Sequence, residues 1–476
     1  MTKQAYIRPL RATAAAALAL ALSACASLSG DGGLGPVSTL TAERTGQDLR
    51  LAPAAGGEDT QAAHAAQAEL GRLLQAPLTP DGAVRVALLN NRGLRASLAD
   101  VGVAEADLVQ AGRMRNPGFS FSRMSGGGET EIERSVMFDL VGLLTIPIRR
   151  DIESRRFESA QLAAAAEAVR LAADTRKAYF RAVAAAQSAE YAEQVHDAAQ
   201  ASAELAGRMA AVGNLSALDK AREQAFSAEA GAQLARARHA ATAAREQLAR
   251  LLGVWGAQAN FQLSQRLPDL PGTAREAGNV ESLAMEQRLD IRSAKLQTAS
   301  TARALGLTRA TGVVNVLDAG YVNSSKSGAP RENGYEIELA IPLFDWGGAR
   351  VARARTLYMQ SVDRTAHTAI NARSQVREAY SAYRTAHDLA LHYRDRVVPL
   401  RKKISEETLL RYNGMLMSVF ELLADARAQV TSVNAAIEAQ RDFWVAETDL
   451  QAAINGSGGA GVTLSPGAAA EAAPEH

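Results

Sequence analysis

The sequence predicts a mainly α-helical chain with a small β part, built as an internal two-fold repeat. Three observations carry this. Four stretches of about ten residues alternate apolar and polar side chains, as membrane strands do. They fall into two pairs, 118–124 with 131–141 and 313–323 with 335–341. Each pair is followed by a long Ala-rich run without proline, from Pro147 to Pro268 and from Pro342 to Pro399.

Composition narrows the functional classes. The chain has 476 residues, with 52 Lys plus Arg against 51 Asp plus Glu, a net charge of +1. That balance speaks against nucleic-acid binding through a strong basic field. Aromatic residues make up only 5%, low for a compact enzyme core. Abundant alanine favours helix and close helix packing.

The amino terminus reads as a secretion signal over 1–24. Lys3, Arg8 and Arg11 precede a short apolar core from Ala12 to Leu22. That core is too short to span a bilayer. It ends in Leu22-Ser23-Ala24-Cys25, which resembles a bacterial lipoprotein signal with Cys25 as the lipidated first mature residue. The plainer alternative is an ordinary signal peptide with a chance cysteine. Ala26 follows, where an Asp would indicate retention in the inner membrane. Cys25 is the only cysteine, so no disulfide forms within the chain.

Residues 25–77 are weakly patterned and rich in Gly, Ala, Ser and Thr, and read as an extended, lipid-anchored tether. Leu78-Thr79-Pro80-Asp81 marks a helix start. A first repeat spans 78–280, with its helical hairpin turning near 213, and a second spans 281–456, turning near 413. The tail, 457–476, has the composition of disorder.

Within the first strand pair, Phe119 and Phe121 share one face and Ser120 and Ser122 the other. In the partner, Val136, Phe138 and Leu140 oppose Ser135, Met137 and Asp139. Ser125-Gly126-Gly127-Gly128 supplies the turn. In the second pair, Tyr335, Ile337, Leu339 and Ile341 oppose Glu336, Glu338 and Ala340. The third strand alternates poorly, and Asp318 leaves its facing open.

Helices follow. One from about Arg150 to Ala211 would run on the order of 90 Å at 1.5 Å per residue. The second carries a seam at steps of three and four, from Val351 through Ala372, Val376, Tyr383 and Val397 to Leu400 and Ile404. Such a seam wants partner helices. The halves correspond at an offset of roughly two hundred: Leu94-Arg95 with Ile291-Arg292, Ile146-Pro147-Ile148 with Ile341-Pro342-Leu343, Ala178-Tyr179 with Ala379-Tyr380, Gly213 with Gly414.

A sheet in lipid must close, because open edges leave backbone groups unsatisfied. Four strands cannot close alone. Two chains give eight strands, a filled barrel. Three give twelve, the simplest conducting solution. The expected fold is thus a protomer of a trimeric α-barrel joined to a twelve-stranded transmembrane β-barrel.

At this point the chain resembles the TolC-like outer-membrane efflux family, in its lipoprotein branch similar to OprM and CusC. The resemblance runs from about Leu78 to Gly456. It rests on Ile341-Pro342-Leu343-Phe344-Asp345-Trp346-Gly347, the two Ala-Tyr pairs, Gly213 with Asp219, and Tyr412-Asn413-Gly414 with Glu421-Leu422-Leu423. It implies a homotrimer in the outer membrane, extending into the periplasm. It also implies two partners, a periplasmic adaptor and an inner-membrane pump of RND type. The function implied is passive export of what the pump delivers.

The family's periplasmic gate is ringed by acids just past the hairpin turns. Asp219 and Glu421 match those positions; a further family acid falls on Ala424, with Asp425 beside it. Three like carboxylates around an axis make a negative constriction. Each of these acids is equally explained as a solvated charge near a turn. Tyr412 is a candidate for a hydrogen bond holding the closed state. Asp139, Glu336 and Glu338 are candidates for the barrel lumen. Met415 and Met417 at the tip would suit Cu(I) or Ag(I), although packing explains them as well. No zinc-binding spacing and no nucleophile–base arrangement occurs, so no enzyme, metal or cofactor is expected beyond lipid on Cys25. The rival reading is a structural coiled-coil lipoprotein spanning the periplasm without transport.

Overall fold

The structure, a computed structural model, describes residues 28–49, 60–276 and 278–457. Cys25 and the 458–476 tail lie outside them. The chain divides into two compact units that cut across both repeats. One holds residues up to 40, 93–165 and 290–370; the other holds 41–92, 166–289 and those from 371 on.

The first unit carries the sheet. Strands β1 (Gly118–Gly126), β2 (Glu129–Asp139), β3 (Leu317–Lys326) and β4 (Glu332–Leu339) form one antiparallel sheet in sequence order. Its register aligns Phe119 with Val136, Val136 with Tyr321, and Tyr321 with Tyr335. The third and fourth strands are displaced from the sequence expectation. Val313 and Val314 precede β3, and Ile341 follows β4, all three exposed. Alternation also begins earlier in β4 than expected, because Glu332 and Gly334 continue the Glu336–Glu338 side.

Helix α4 (Arg92–Ala111) leads into β1, and α8 (Leu289–Ala310), which follows the short α7 (Val280–Gln287), precedes β3. The helix after β2, α5 (Leu140–Ala211), starts ten residues earlier than Arg150 and runs 72 residues with Pro147 inside it. Leu140 therefore belongs to the helix and not to the strand face. Asp139 starts the helix by accepting the Gly142 N–H at 2.6 Å. In the turn where Pro147 supplies no N–H, Thr145 donates to the Val141 carbonyl at 2.8 Å and Arg149 to that of Gly142 at 2.6 Å.

Paired hydroxyls join the helices of this unit, alongside buried Leu94, Leu98, Ile152 and Ile291. Ser159 meets Ser293 at 2.8 Å, Thr298 meets Thr365 at 2.8 Å and Thr301 meets Ser361 at 2.8 Å. Small side chains let backbones approach closely. The expected tether is partly helical: α1 (Gly35–Thr45) and α2 (Thr60–Gln75) occur there. Gln161 donates to the Gly33 carbonyl at 2.7 Å, fixing the segment before α1.

The second unit contains both hairpins. The first joins α5 to α6 (Ala217–Leu252). The second joins α10 (Val398–Asn413), which follows α9 (Gly348–His392) through a π turn at Tyr393–Val397, to α11 (Val419–Asn455). Helix α3 (Pro80–Asn90) starts as predicted, with Thr79 as cap and Pro80 in the first turn. Asn90 and Asn91 donate to the carbonyls that end α6, at Leu252 and Leu251.

Tyr383, Phe443, Trp444 and Phe180 make a continuous aromatic core. Their polar edges hold the connector between the repeats. Trp444 donates to the Pro268 carbonyl at 3.0 Å, and the Tyr383 hydroxyl accepts the Arg275 N–H at 3.0 Å. Tyr179 donates to the Leu78 carbonyl at 2.8 Å. Tyr383, not Tyr380, is the fully buried tyrosine of the second repeat.

Candidate functional site: the sheet face and the hairpin turns

Residues directly opposite in an antiparallel sheet share a face. The register therefore assigns every strand residue to one of two surfaces. One bears Asp139, Glu133, Glu131 and Glu129 from β2, Asp318 from β3, and Glu338, Glu336 and Glu332 from β4. All the sheet's carboxylates lie on it, with Lys326 as its single base. The opposite surface carries Phe119, Phe121, Val136, Phe138, Tyr321, Tyr335, Ile337 and Leu339. Tyr335 is 90% and Ile337 72% exposed.

Asp318, left open by its sequence, joins the acidic face between Asp139 and Glu338. Like charges directly across a ladder destabilise a sheet. Among the described residues, Glu133, Asp318, Glu332, Glu336 and Glu338 have no cation partner. Lys326 pairs with Glu129 at 3.4 Å, and Arg115 approaches Asp139 to 4.0 Å. Of the three predicted lumen acids, Glu336 and Glu338 stand free on this face. Asp139 shares the face but also caps α5.

The outer edges of β1 and β4 have no strand partner among the described residues. Beyond β4, the motif Phe344-Asp345-Trp346-Gly347 forms a tight bend. Asp345 accepts the Gly347 N–H at 2.8 Å. Gly347 has φ +76°, and a Cβ there would come within 2.8 Å of the Gly312 carbonyl oxygen, so only glycine fits. Phe344 is 99% and Trp346 65% exposed.

At the hairpin turns, Ser216 caps α6 by accepting the Asp219 N–H at 3.1 Å, and the Asp219 carboxylate accepts the Ser216 hydroxyl. Arg222 lies 3.5 Å from Asp219. Ser418 and Glu421 form the reciprocal version. Glu421 accepts both the N–H and the hydroxyl of Ser418, each at 3.0 Å, while its own N–H donates to Ser418 at 3.3 Å. These bonds, the Ser418 N–H first, hold the exposed Glu421 carboxyl below its usual value.

Asp219 and Glu421 thus occupy the same third helical position after a serine cap. That equivalence corrects one alignment. Gly213 answers Met415, not Gly414: Gly213 has φ +80° and Met415 φ +58°, whereas Gly414 has φ −80°. Asn214 bonds back to Met209, as Leu416 bonds back to Arg411.

Asp425 lies one turn beyond Glu421, and its Oδ2 is buried without a partner among the described residues. The Tyr412 hydroxyl makes no hydrogen bond within the described chain. Met415 is 93% exposed, and no group of three His, Cys, Asp or Glu able to hold a metal occurs among the described residues. A contact without a local sequence signal links the hairpins: the Arg427 guanidinium lies over the Phe226 ring, 4.2 Å from its centroid.

No protein-family profile and no curated protein matches the chain in sequence. Solved structures do match in fold. The Campylobacter jejuni CmeC outer membrane channel aligns at TM-score 0.67 and 16% identity, over 86% of this chain and 92% of its own. The Vibrio cholerae outer membrane protein VceC aligns at 0.67 and 15%, over 82% and 97%. The open state of the Neisseria gonorrhoeae MtrE outer membrane channel aligns at 0.65 and 18%, over 82% and 89%. The fold is that of TolC-like outer-membrane channels.

Proposed function

We propose that the chain is one protomer of a trimeric exit duct in the outer membrane. The observation that carries this reading is the division of one sheet into an acidic face and an apolar face, with both edges unpaired. An apolar face with exposed tyrosines suits lipid, and an acidic face suits water. Unpaired edges require neighbours. Pairing β4 of one copy with β1 of the next is a head-to-tail contact, which closes into a ring. Three copies give a twelve-stranded barrel.

The barrel would hold twenty-four carboxylates against three Lys326 ammoniums, by threefold repetition of the face above. Its field attracts cations and raises their local concentration. The hairpins of three copies would enclose the periplasmic conduit, with Asp219 and Glu421 near its entrance. Asp425, one turn beyond Glu421 with a buried, unpartnered oxygen, is a third acid for that ring. The chain supplies no energy, so transport is passive, and cargo arrives from an inner-membrane pump through a periplasmic adaptor. Lipid on Cys25 would add a second, independent anchor.

The competing structural-lipoprotein reading has no use for an acidic face opposite an apolar one. Native mass spectrometry of the detergent-extracted full chain, followed by planar-bilayer recording, tests the proposal. A mass of three copies and stepwise conductance are expected. A monomer that never conducts would refute it.

A further inference from the structure

The apolar face of the sheet is ordered along the strands. Nearest the helices stand Leu317 and Leu339, then Phe138, Ala319 and Ile337. Next comes the row of Phe119, Val136, Tyr321 and Tyr335. Toward the hairpin turns the following row is Phe121, Arg134, Asn323 and Asn333, and beyond it stand Arg123, Ile132 and Ser325. Arg123 pairs with Ile132, two residues from Arg134, so the two arginines are diagonal neighbours on one face. Diagonal side chains of this length reach one another.

No carboxylate shares that face. Arg134 donates to Asn323 at 3.3 Å, and Asn323 in turn to Asn333 at 2.7 Å. Arg134 also lies 5.9 Å from the centroid of the Phe121 ring. Arg123 is exposed and makes no ion pair among the described residues. Two neighbouring guanidinium groups without a counter-charge repel each other, while the chain sends every acid of its sheet to the other side. A membrane-facing surface with that arrangement is complementary to an anion that arrives from outside the chain. Arginine is the side chain suited to phosphate, which it meets with paired N–H donors.

From this we infer that Arg123 and Arg134 bind the phosphates of an anionic lipid headgroup, just beyond the aromatic row on the lipid side of the barrel. The inference rests on the reading of this face as lipid-facing. The aromatic row sits at headgroup depth and the arginines above it meet the charged layer. Asn323, itself bonded to Asn333, accepts from Arg134, so the headgroup is met by an ordered guanidinium. The bound lipid would also seat the β1 edge, on which Arg123 stands, where one copy joins the next.

The test uses the full-length assembly in nanodiscs containing diphosphorylated lipid A, with bound lipid counted by native mass spectrometry. Wild type retains the lipid. R123Q/R134Q retains roughly tenfold less at equal lipid concentration. R123K/R134K, which preserves charge without the paired donors, falls between them and serves if the glutamine variant does not assemble. K326Q, on the acidic face, retains it like wild type. Equal retention by wild type and either arginine variant overturns the inference, as does equal loss in K326Q. A conducting trimer without lipid preference removes this inference alone. A wild-type chain that does not enter the bilayer removes the duct reading with it.

Discussion

Met415 occupies in the second hairpin the left-handed position that Gly213 occupies in the first, with φ +58° against +80°. A side chain there costs about 1–2 kcal/mol relative to glycine. Replacing Met415 by glycine relieves that strain but adds backbone freedom to the unfolded chain. Met415→Gly should therefore gain up to about 1 kcal/mol, and Gly213→Ala should lose about 1 kcal/mol. Chemical denaturation of the detergent-solubilised protein, followed by circular dichroism, would register both, and a destabilised Met415→Gly would count against the strain.

The one-residue slip between the hairpins has a source in the π turn at Tyr393–Val397. Val398 donates to Tyr393, five residues back, and Pro399 follows without an N–H. One extra residue rotates everything after it by about 100°. The apolar seam holds through Ala372, Val376, Tyr383 and Ala390, and then breaks. Leu400 and Ile404, the last two of the sequence pattern, are exposed, whereas Thr408 is buried. Deleting Arg396 should restore a regular helix and turn Leu400 inward. A cysteine at Leu400 should react with maleimide in the parent chain and be protected in the deletion, read by peptide mass; unchanged labelling would contradict the register argument.

Glu421 gives the second turn a pH dependence. Its folded-state carboxyl lies below the ordinary 4.5, held there by the Ser418 N–H and hydroxyl. A lowered folded value means stabilisation that is complete above the unfolded value and is lost as pH falls through the folded one. The turn should be equally protected at all pH values above 4.5 and lose protection below it. Hydrogen exchange of the α11 amino terminus at pH 6 and pH 3, corrected for intrinsic rates, should show this in wild type. Glu421→Gln should be flat across the same range.

Phe226 and Arg427 join the two return helices. A double-mutant cycle with Phe226→Leu and Arg427→Gln should give a coupling of about 0.5–1 kcal/mol, the size of an exposed cation–π pair. Channel opening should become more frequent in either single variant if this contact restrains the hairpins. A coupling near zero would reduce Arg427 to a solvated charge.

Much of this architecture was written in short-range pattern. Phe119–Phe121 and Tyr335–Ile337–Leu339 alternate cleanly, because successive side chains of a strand point to opposite faces. The third strand was harder to read. Gly320 packs beneath Met137 and has no side chain to report a face, and Val313 and Val314 mimic a strand start. Pro147 reads as a helix boundary because it lacks an N–H, yet α5 continues through it from Leu140. Asp219 and Glu421 are identifiable by type and by their place after a turn, whereas their bonds to Ser216 and Ser418 follow from the cap geometry. The Tyr383 anchor and the Arg427–Phe226 contact depend on pairings between distant segments, which no local period encodes.

The central claim is that the acidic face lines a conducting pore. Reversal potential in a KCl gradient across a planar bilayer tests it most directly, for wild type and for Glu336→Gln/Glu338→Gln. The account predicts preference for K+ over Cl− in wild type and a weaker preference in the double variant, with the channel still open. Anion preference in wild type, or a selectivity that does not move when the two carboxylates of β4 are neutralised, would contradict it.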